Sequence, residues 1–447
     1  MKNKTIHMTT LGCDKNTIDS QLMLGLIEEK KYSIEEDPKN AEIIIVNTCC
    51  FIQEAKEQSI EYILEYAEYK KNGRCEILIV AGCMAERYHT ELDLEIPEID
   101  GFLGVGHFEN VIDLLNNFEE TDHNKFMGDI DKDCATNIKR FIPKGSVSAF
   151  LRISEGCNHG CTYCVIPKIR GKYRSRKSQD IFNELSYLQE KGIKEIVLIG
   201  QDIAPYGQDL NEGLDLPGLL EKIARDYEFE WIRMMYLYPE GITLELLKVV
   251  EANASICNYF DIPLQHTADS ILKRMGRKMT LKKIKDITSL IRKIIPNAVL
   301  RTSIITGFPG ETDADHRALL KAIKELRFDH LGAFKYSQEE DTPAASFENQ
   351  ISDDTKDERY KDIMMIQQEI SLEKNQQQVG RVLKVLIEGY EEDSYIGRCY
   401  GDAPEIDGSV FVDSKGTSLI IGNFYPVKIV NALEYDLIGD IENEFTK

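Results

Sequence analysis

The chain has 447 residues, 42% hydrophobic and 29% charged, the balance of a globular protein with several cores. No apolar run reaches the roughly 18–20 residues of a membrane span, and Met1–Thr10 lacks a signal peptide's apolar stretch, so a cytoplasmic protein with no membrane partner is expected. A formal net charge of −22 argues against a chain whose main task is to grip phosphate backbones, and eleven cysteines in a reducing compartment point to metal ligands with bystanders, not disulfides.

From the N-terminus, short β-branched runs at Lys4–Thr10, Glu42–Thr48, Glu76–Ala81 and Gly101–Val105 alternate with helical patterns at Thr17–Lys30 and Gln53–Lys71. That alternation predicts parallel βαβ units in a doubly wound sheet. A polar stretch from Phe118 to Lys144 reads as the first boundary. Six further strands are predicted at Ala149–Ser154, Glu195–Gly200, Trp231–Leu237, Tyr259–Pro263, Leu300–Thr306 and His330–Tyr336. Helical patterns follow all but the last, one running from Ser178 through Ile181, Leu185 and Leu188 to Gly192. These units fit an open, partial β/α barrel. An amphipathic helix over Asp354–Gln378 follows, with Ile363, Ile366 and Ile370 on one stripe and Met364–Met365 as packing. The tail breaks into short β runs at Val382–Ile387, Tyr395–Cys399, Ser409–Val412 and Tyr425–Val430, separated by Gly, Asp and Pro. It reads as a small antiparallel barrel of the oligonucleotide-binding type. The fold class is therefore α/β: a doubly wound N-terminal domain (residues 1–140), a partial (βα)6 barrel (141–375) and a C-terminal β-barrel (376–447).

Cys157, Cys161 and Cys164 form C-x-x-x-C-x-x-C directly after an apolar run. Three thiolates on one tight loop hold three irons of a 4Fe–4S cluster and leave the fourth open to an external ligand. Zinc is the competing reading, but it wants four protein ligands, and His159 is awkwardly placed to be the fourth. Cys13, Cys49 and Cys83 each follow one of the first three predicted strands, roughly 35 residues apart. Ligands gather at the carboxyl edge of open α/β sheets, so the three thiols share an edge and form a second three-thiolate set. Cys50 is a less favoured alternative to its neighbour, and Cys75, Cys134, Cys257 and Cys399 match no pattern and read as inert.

The Cys157–Cys164 loop resembles that of the radical S-adenosylmethionine superfamily. The whole chain resembles the methylthiotransferases, which join a cysteine-bearing N-terminal domain to a radical core and a C-terminal TRAM domain. The resemblance rests on Leu11-Gly12-Cys13-Asp14-Lys15-Asn16 with Asp19-Ser20, Asn47-Thr48-Cys49-Cys50-Phe51-Ile52, and Ser154-Glu155-Gly156-Cys157-Asn158-His159. Asp261-Ile262-Pro263-Leu264-Gln265-His266 and Gly307-Phe308-Pro309-Gly310-Glu311-Thr312 extend it. It implies two 4Fe–4S clusters and two molecules of S-adenosyl-L-methionine. One methylates sulfur at the cluster held by Cys13, Cys49 and Cys83. The other, at the cluster held by Cys157, Cys161 and Cys164, yields a radical that abstracts hydrogen from a substrate carbon. Within the family the chain is most similar to the branch acting on small-subunit ribosomal protein 12. That implies a target aspartate β-carbon and a flavodoxin- or ferredoxin-like reductant. Gln21 and Asp341 depart from the family pattern, the latter replacing a common Gly before Thr342-Pro343-Ala344 and leaving that loop's shape open.

Gln201 and Asp202 stand where family members contact the cofactor, and Gly307 and Pro309 belong to a turn after the fifth barrel strand whose glycines permit close backbone approach to adenosine. Gln265-His266 points to the same mouth. The basic run Arg170, Lys172, Arg174, Arg176 and Lys177 reads either as a solvated face or as a grip on a carboxylate, of methionine or of the target aspartate, with Arg170 the candidate. The tail from Gly380 carries six Lys or Arg against thirteen Asp or Glu, with Asp402, Glu405 and Asp407 on one loop as candidate contacts for a basic partner. This charge favours ribosomal protein over transfer RNA adenosine as substrate. A non-catalytic iron–sulfur carrier remains the alternative from another class. A monomer is the default expectation.

Overall fold

The runs Ile43–Thr48 and Ile77–Gly82 have no polar face and are buried along their whole length, which only a sheet covered on both sides allows. In the computed structural model, which describes residues 4–30, 32–116, 124–132 and 139–442, they are central strands. Six parallel strands form this sheet: β1 (Thr5–Thr10), β2 (Ser33–Ile34), β3 (Ile43–Thr48), β4 (Ile77–Gly82), β5 (Gly101–Leu103) and β6 (Lys125–Phe126). Their order is β2-β1-β3-β4-β5-β6. The winding direction therefore reverses between β1 and β3, and it is at the carboxyl ends beside such a reversal that open α/β sheets take ligands. The two-residue strands β2 and β6 carry too little pattern to be read from sequence. β6 lies inside the polar stretch taken as a boundary, and of that stretch Cys134 falls outside the described residues.

The second unit supplies β7 (Ser148–Arg152), a small antiparallel pair β8 (Ser154–Glu155) and β9 (Arg174–Ser175), then β10 (Glu195–Ile199), β11 (Trp231–Met234), β12 (Tyr259–Asp261), β13 (Val299–Thr306) and β14 (His330–Lys335). Apart from that pair, its strands are parallel to their sequence neighbours, in two sheets, β7-β10-β11 and β12-β13-β14. Ile232 pairs with Ile256 across the gap, and the Leu237 N–H donates to the Asp261 carbonyl at 2.9 Å. β7 and β14 share no ladder, so this is an open six-stranded barrel segment. Helices such as Ser178–Glu190 bury their apolar stripe against it, here Ile181, Leu185 and Leu188. The helix Asp353–Gln376 seats Ile363 and Ile370 in the same core, whereas Met365 is exposed, so only Met364 of that pair packs.

The tail closes into a barrel of β15 (Val382–Glu391), β16 (Ser394–Arg398), β17 (Val410–Asp413), β19 (Leu437–Ile441) and β18 (Phe424–Ala432). Its pairs are antiparallel except β17 with β19, the parallel pair that completes the ring. β19, with Gly439 and Asp440 in five residues, was not apparent in the sequence.

The tail barrel is fastened to the second unit by charge. Glu195 on β10, with no exposed surface, accepts from Arg233 Nε at 2.8 Å and from Arg398 at 2.6 Å. Arg398 also donates to Glu388, and Arg233 to the Tyr400 carbonyl at 2.8 Å. Burial pushes the Glu195 carboxyl up, but Arg233 and Arg398 outweigh it and hold it down at about 2. Its ionised form thus stabilises the fold above the ordinary value of 4.5, and that contribution is lost as pH falls towards 2. Glu195→Gln should lower stability at neutral pH by about 3–5 kcal/mol, since it strands two buried guanidinium groups. In urea titrations the gap from wild type should narrow steadily from pH 5 down to pH 2.5; a gap independent of pH would contradict this account.

Candidate functional site

Cys13 caps the helix Asp14–Glu29 after β1, Cys49 follows β3 directly, and Cys83 opens the helix Cys83–Glu95 after β4. All three stand at the carboxyl edge, two of them flanking the switch point. Their loops are tight. Gly12 has φ +94°, and a Cβ there would lie 2.5 Å from Cys49 Cβ and 2.9 Å from its sulfur. Gly82, at φ +88°, would set one 2.7 Å from the Thr48 carbonyl. Both positions require glycine. Asn16 ties two loops by donating to the Leu11 carbonyl (2.8 Å) and the Thr48 carbonyl (3.0 Å). Ser59 Oγ accepts from the Cys49 N–H at 3.1 Å and donates to its carbonyl at 2.8 Å. Burial raises the Cys49 and Cys83 thiols, and the proximity of Cys13 raises both further. Cys50 turns the other way: fully buried, it donates to the Cys83 carbonyl at 3.2 Å.

The second thiol loop lies at the mouth of the barrel segment. The Cys157 N–H donates to the Gly171 carbonyl (3.1 Å) and the Thr162 N–H to the Met275 carbonyl (3.0 Å). His159 is held by a carboxylate and an aromatic ring. Its Nε2 is 2.7 Å from Asp202 Oδ2, and its ring stacks on Tyr238 at 3.7 Å, within 4° of parallel. Asp202 also accepts from the Ala204 N–H at 3.0 Å. It braces the cysteine loop through His159. The Tyr238 hydroxyl lies 3.3 Å from Cys161 Sγ, and the Arg277 guanidinium sits 4.2 Å over the Tyr238 ring. Burial pushes Cys157 up to about 11 and Cys164 to about 12. Among the described residues no three His, Cys, Asp or Glu converge closely enough for one metal ion. Thiols on separate irons of a cluster stand wider apart than ligands of a single ion.

A buried network joins the two loops. Arg170, 1% exposed, donates to both Glu155 oxygens at 3.2 Å, to Asn16 Oδ1 at 2.7 Å and to Asp19 at 3.4 Å, and lies 3.7 Å from Cys83 Sγ. Arg152 adds bonds to Asp19 (2.7 Å) and Glu155 (2.8 Å). Glu155 takes a third partner in Gln201 Nε2, at 2.6 Å. Burial alone would raise Glu155, but Arg170 and then Arg152 hold it down to about 2. Arg170 therefore does grip carboxylates, but those of its own chain. Arg176 pairs with Glu184 at 2.7 Å and Arg174 donates to the Arg170 carbonyl at 3.1 Å, so only Lys172 and Lys177 of the basic run are exposed.

The remaining candidates divide. Gln201 Oε1 is buried and without a partner among the described residues. The Phe308 N–H donates to Glu311 at 3.2 Å, and the Pro309 carbonyl accepts from Arg274 at 3.1 Å, while Gly307 backs onto the Lys356 side chain. His266 is fully buried, its Nδ1 taken by the Ala268 N–H at 3.0 Å. Asp402 accepts from the Cys399 thiol at 3.0 Å, and Asp407 from the Ala403 N–H at 2.9 Å, with Arg301 at 3.4 Å. Of the three tail carboxylates only Glu405 is exposed. Asp341 adopts φ +63°, so the loop keeps the backbone that a glycine would take. Asn16, Glu155 and Tyr236 were not singled out from sequence, although Asn16 and Glu155 sit inside the very stretches that carry the resemblance.

Three family models match in order: uncharacterized protein family UPF0004 over residues 5–104, the radical SAM superfamily over 151–323, and the TRAM domain over 379–441. The chain is 47% identical over 437 residues to the ribosomal protein uS12 methylthiotransferase RimO of Clostridioides difficile (strain 630), covering 98% of each. It is 46% identical to the protein of that name from Lachnoclostridium phytofermentans, covering 98% of this chain and all of that one. The chain belongs to the RimO family. It is a radical SAM methylthiotransferase. The fold also matches TsrM, a radical S-adenosylmethionine methyltransferase from Kitasatospora setae, with a TM-score of 0.55 at 14% identity over 77% of each chain. Gly82→Ala should cost about 1–3 kcal/mol, from its left-handed φ and the overlap with Thr48. The urea midpoint checks this, and an unchanged midpoint would mean that the β4 turn has slack.

Proposed function

We propose that this enzyme methylthiolates the β-carbon of an aspartate in small-subunit ribosomal protein 12, using two 4Fe–4S clusters and two molecules of S-adenosyl-L-methionine. The single observation that carries the reading is the presence of two separate three-thiol sets, joined by one buried network. When bound, the clusters supply the electron that cleaves S-adenosylmethionine and the sulfur that is transferred. Cys13, Cys49 and Cys83 would hold one, and Cys157, Cys161 and Cys164 the other. The donor sets fit. Cysteine thiolates are the groups that iron–sulfur clusters take, and three in each set leave one iron without a protein ligand. Gln201 offers a buried acceptor without a partner, as a cofactor contact requires.

This chain's own residues orient and shield. Asp202 and Tyr238 lock His159, so the Cys157–Cys164 loop keeps one shape. Asn16 holds the β1 and β3 loops together. Gln201, Asp202, Gly307 and Pro309 belong to the proposed S-adenosylmethionine site. The segments 1–140, 141–375 and 376–447 are taken as domains on the support of the pairing of β6 with β5 and the closed tail barrel. The tail's excess of thirteen acidic over six basic residues supports a basic ribosomal protein, free or in the small subunit, as partner. Glu405 is its one exposed carboxylate on the loop singled out. On this reading a monomer works in the cytoplasm and takes electrons from a flavodoxin- or ferredoxin-like donor. Among the described residues no helix is long and apolar enough to cross a membrane.

Deleting the gene should abolish the methylthio mass increment on ribosomal protein 12; an unchanged increment would refute the substrate. In anaerobically reconstituted protein, replacing Cys13, Cys49 and Cys83 by Ala should remove about half of the bound iron, by the one-cluster-per-thiol-set count. The same triple variant should still release 5′-deoxyadenosine under reduction, and retention of all the iron would overturn the assignment of these ligands.

A further inference from the structure

Lys15 lies two residues after Cys13 and is 5% exposed. Its ammonium sits 3.1 Å from the centroid of the Tyr236 ring and 3.0 Å from Asp14 Oδ1. Tyr236 comes from the other half of the molecule, two residues past β11, and is held at φ +61°. Its N–H donates to Asp261 at 3.0 Å and its hydroxyl to Asp14 Oδ1 at 3.3 Å. A cation from the Cys13 side and a ring from the barrel side thus meet where the two halves join.

The proposed reaction needs a carbon that is activated on the barrel side and receives sulfur from the Cys13 side. The reacting aspartate must sit between them, its carboxylate one bond from that carbon. A carboxylate taken out of water needs a cationic partner. Around the junction Arg152 and Arg170 each hold Asp19 and Glu155, and Arg301 holds Asp261 and Asp407. Arg277 has no carboxylate partner among the described residues, but it is packed on Tyr238 with Cys161 and donates to the Pro263 carbonyl. Lys15 has one carboxylate partner among the described residues, its own chain neighbour, and beyond it only the Tyr236 side chain. An ammonium has three hydrogens and can serve two carboxylates.

The geometry points to Lys15, seated on Tyr236, as the group that receives the side-chain carboxylate of the target aspartate and selects it over asparagine. This rests on the aspartate reading above. Lys15→Met and Lys15→Arg are compared with wild type on purified ribosomal protein 12 and on its variant with the target Asp changed to Asn. Wild type should lose roughly 10- to 100-fold in kcat/KM on the Asn protein, the worth of a charged hydrogen bond. Lys15→Met should lose as much on the Asp protein, mainly through KM, and discriminate little between the two proteins. Equal losses on both proteins, or undiminished preference for Asp, would overturn the assignment and leave Lys15 a structural contact. Should Lys15→Met fail to fold, Lys15→Arg carries the test: the displaced charge must raise KM for the Asp protein and spare the Asn protein. Wild type that modifies neither protein would refute the aspartate reading itself.

Discussion

Arg170 is the interaction on which the arrangement depends. Its guanidinium spans from Glu155, beside the first thiol of one loop, to Asn16, whose amide ties the loops carrying Cys13 and Cys49. A fork of five donors on a planar group serves more partners at once than the three hydrogens of a lysine ammonium. With Arg152 bridging Asp19 and Glu155, the two thiol sets have one electrostatic frame. The network is buried, so each member is costly to leave unpaired.

The same solution recurs where the tail barrel meets the central unit. Glu195 draws Arg233 and Arg398 from separate domains into one buried cluster. Apolar packing would adhere as strongly but would tolerate sliding. Directed charge-assisted bonds fix one orientation. The protein's large acidic excess thus conceals an interior stitched together by arginines, and the acidity that remains outside suits a basic partner.

Position in the fold sorts the cysteines. The six assigned to clusters follow parallel strands at their carboxyl ends, Cys83 as the first residue of a helix and the others outside helices and strands. Cys50, Cys75, Cys257 and Cys399 are buried in strand ends or cores, with Cys75 donating to the Ile77 carbonyl and Cys399 to Asp402. Nothing in their immediate sequence separates Cys49 from Cys50; the side to which each thiol turns does.

Local chemistry made the main elements legible: alternating β-branched and amphipathic runs predicted the parallel strands and their helices, and the spacing of the two thiol sets marked the chemistry. Those signals depend only on near neighbours in the chain. β2 and β6, too short for a pattern, and β19, interrupted by Gly439 and Asp440, escaped because their pairing is stabilised by partners outside their own segments. The partners that Arg170, Asp402 and Asp407 find within the chain were likewise beyond reach. A charged side chain reads alike whether it meets a ligand or a distant residue of its own chain, and only folding decides which is nearer.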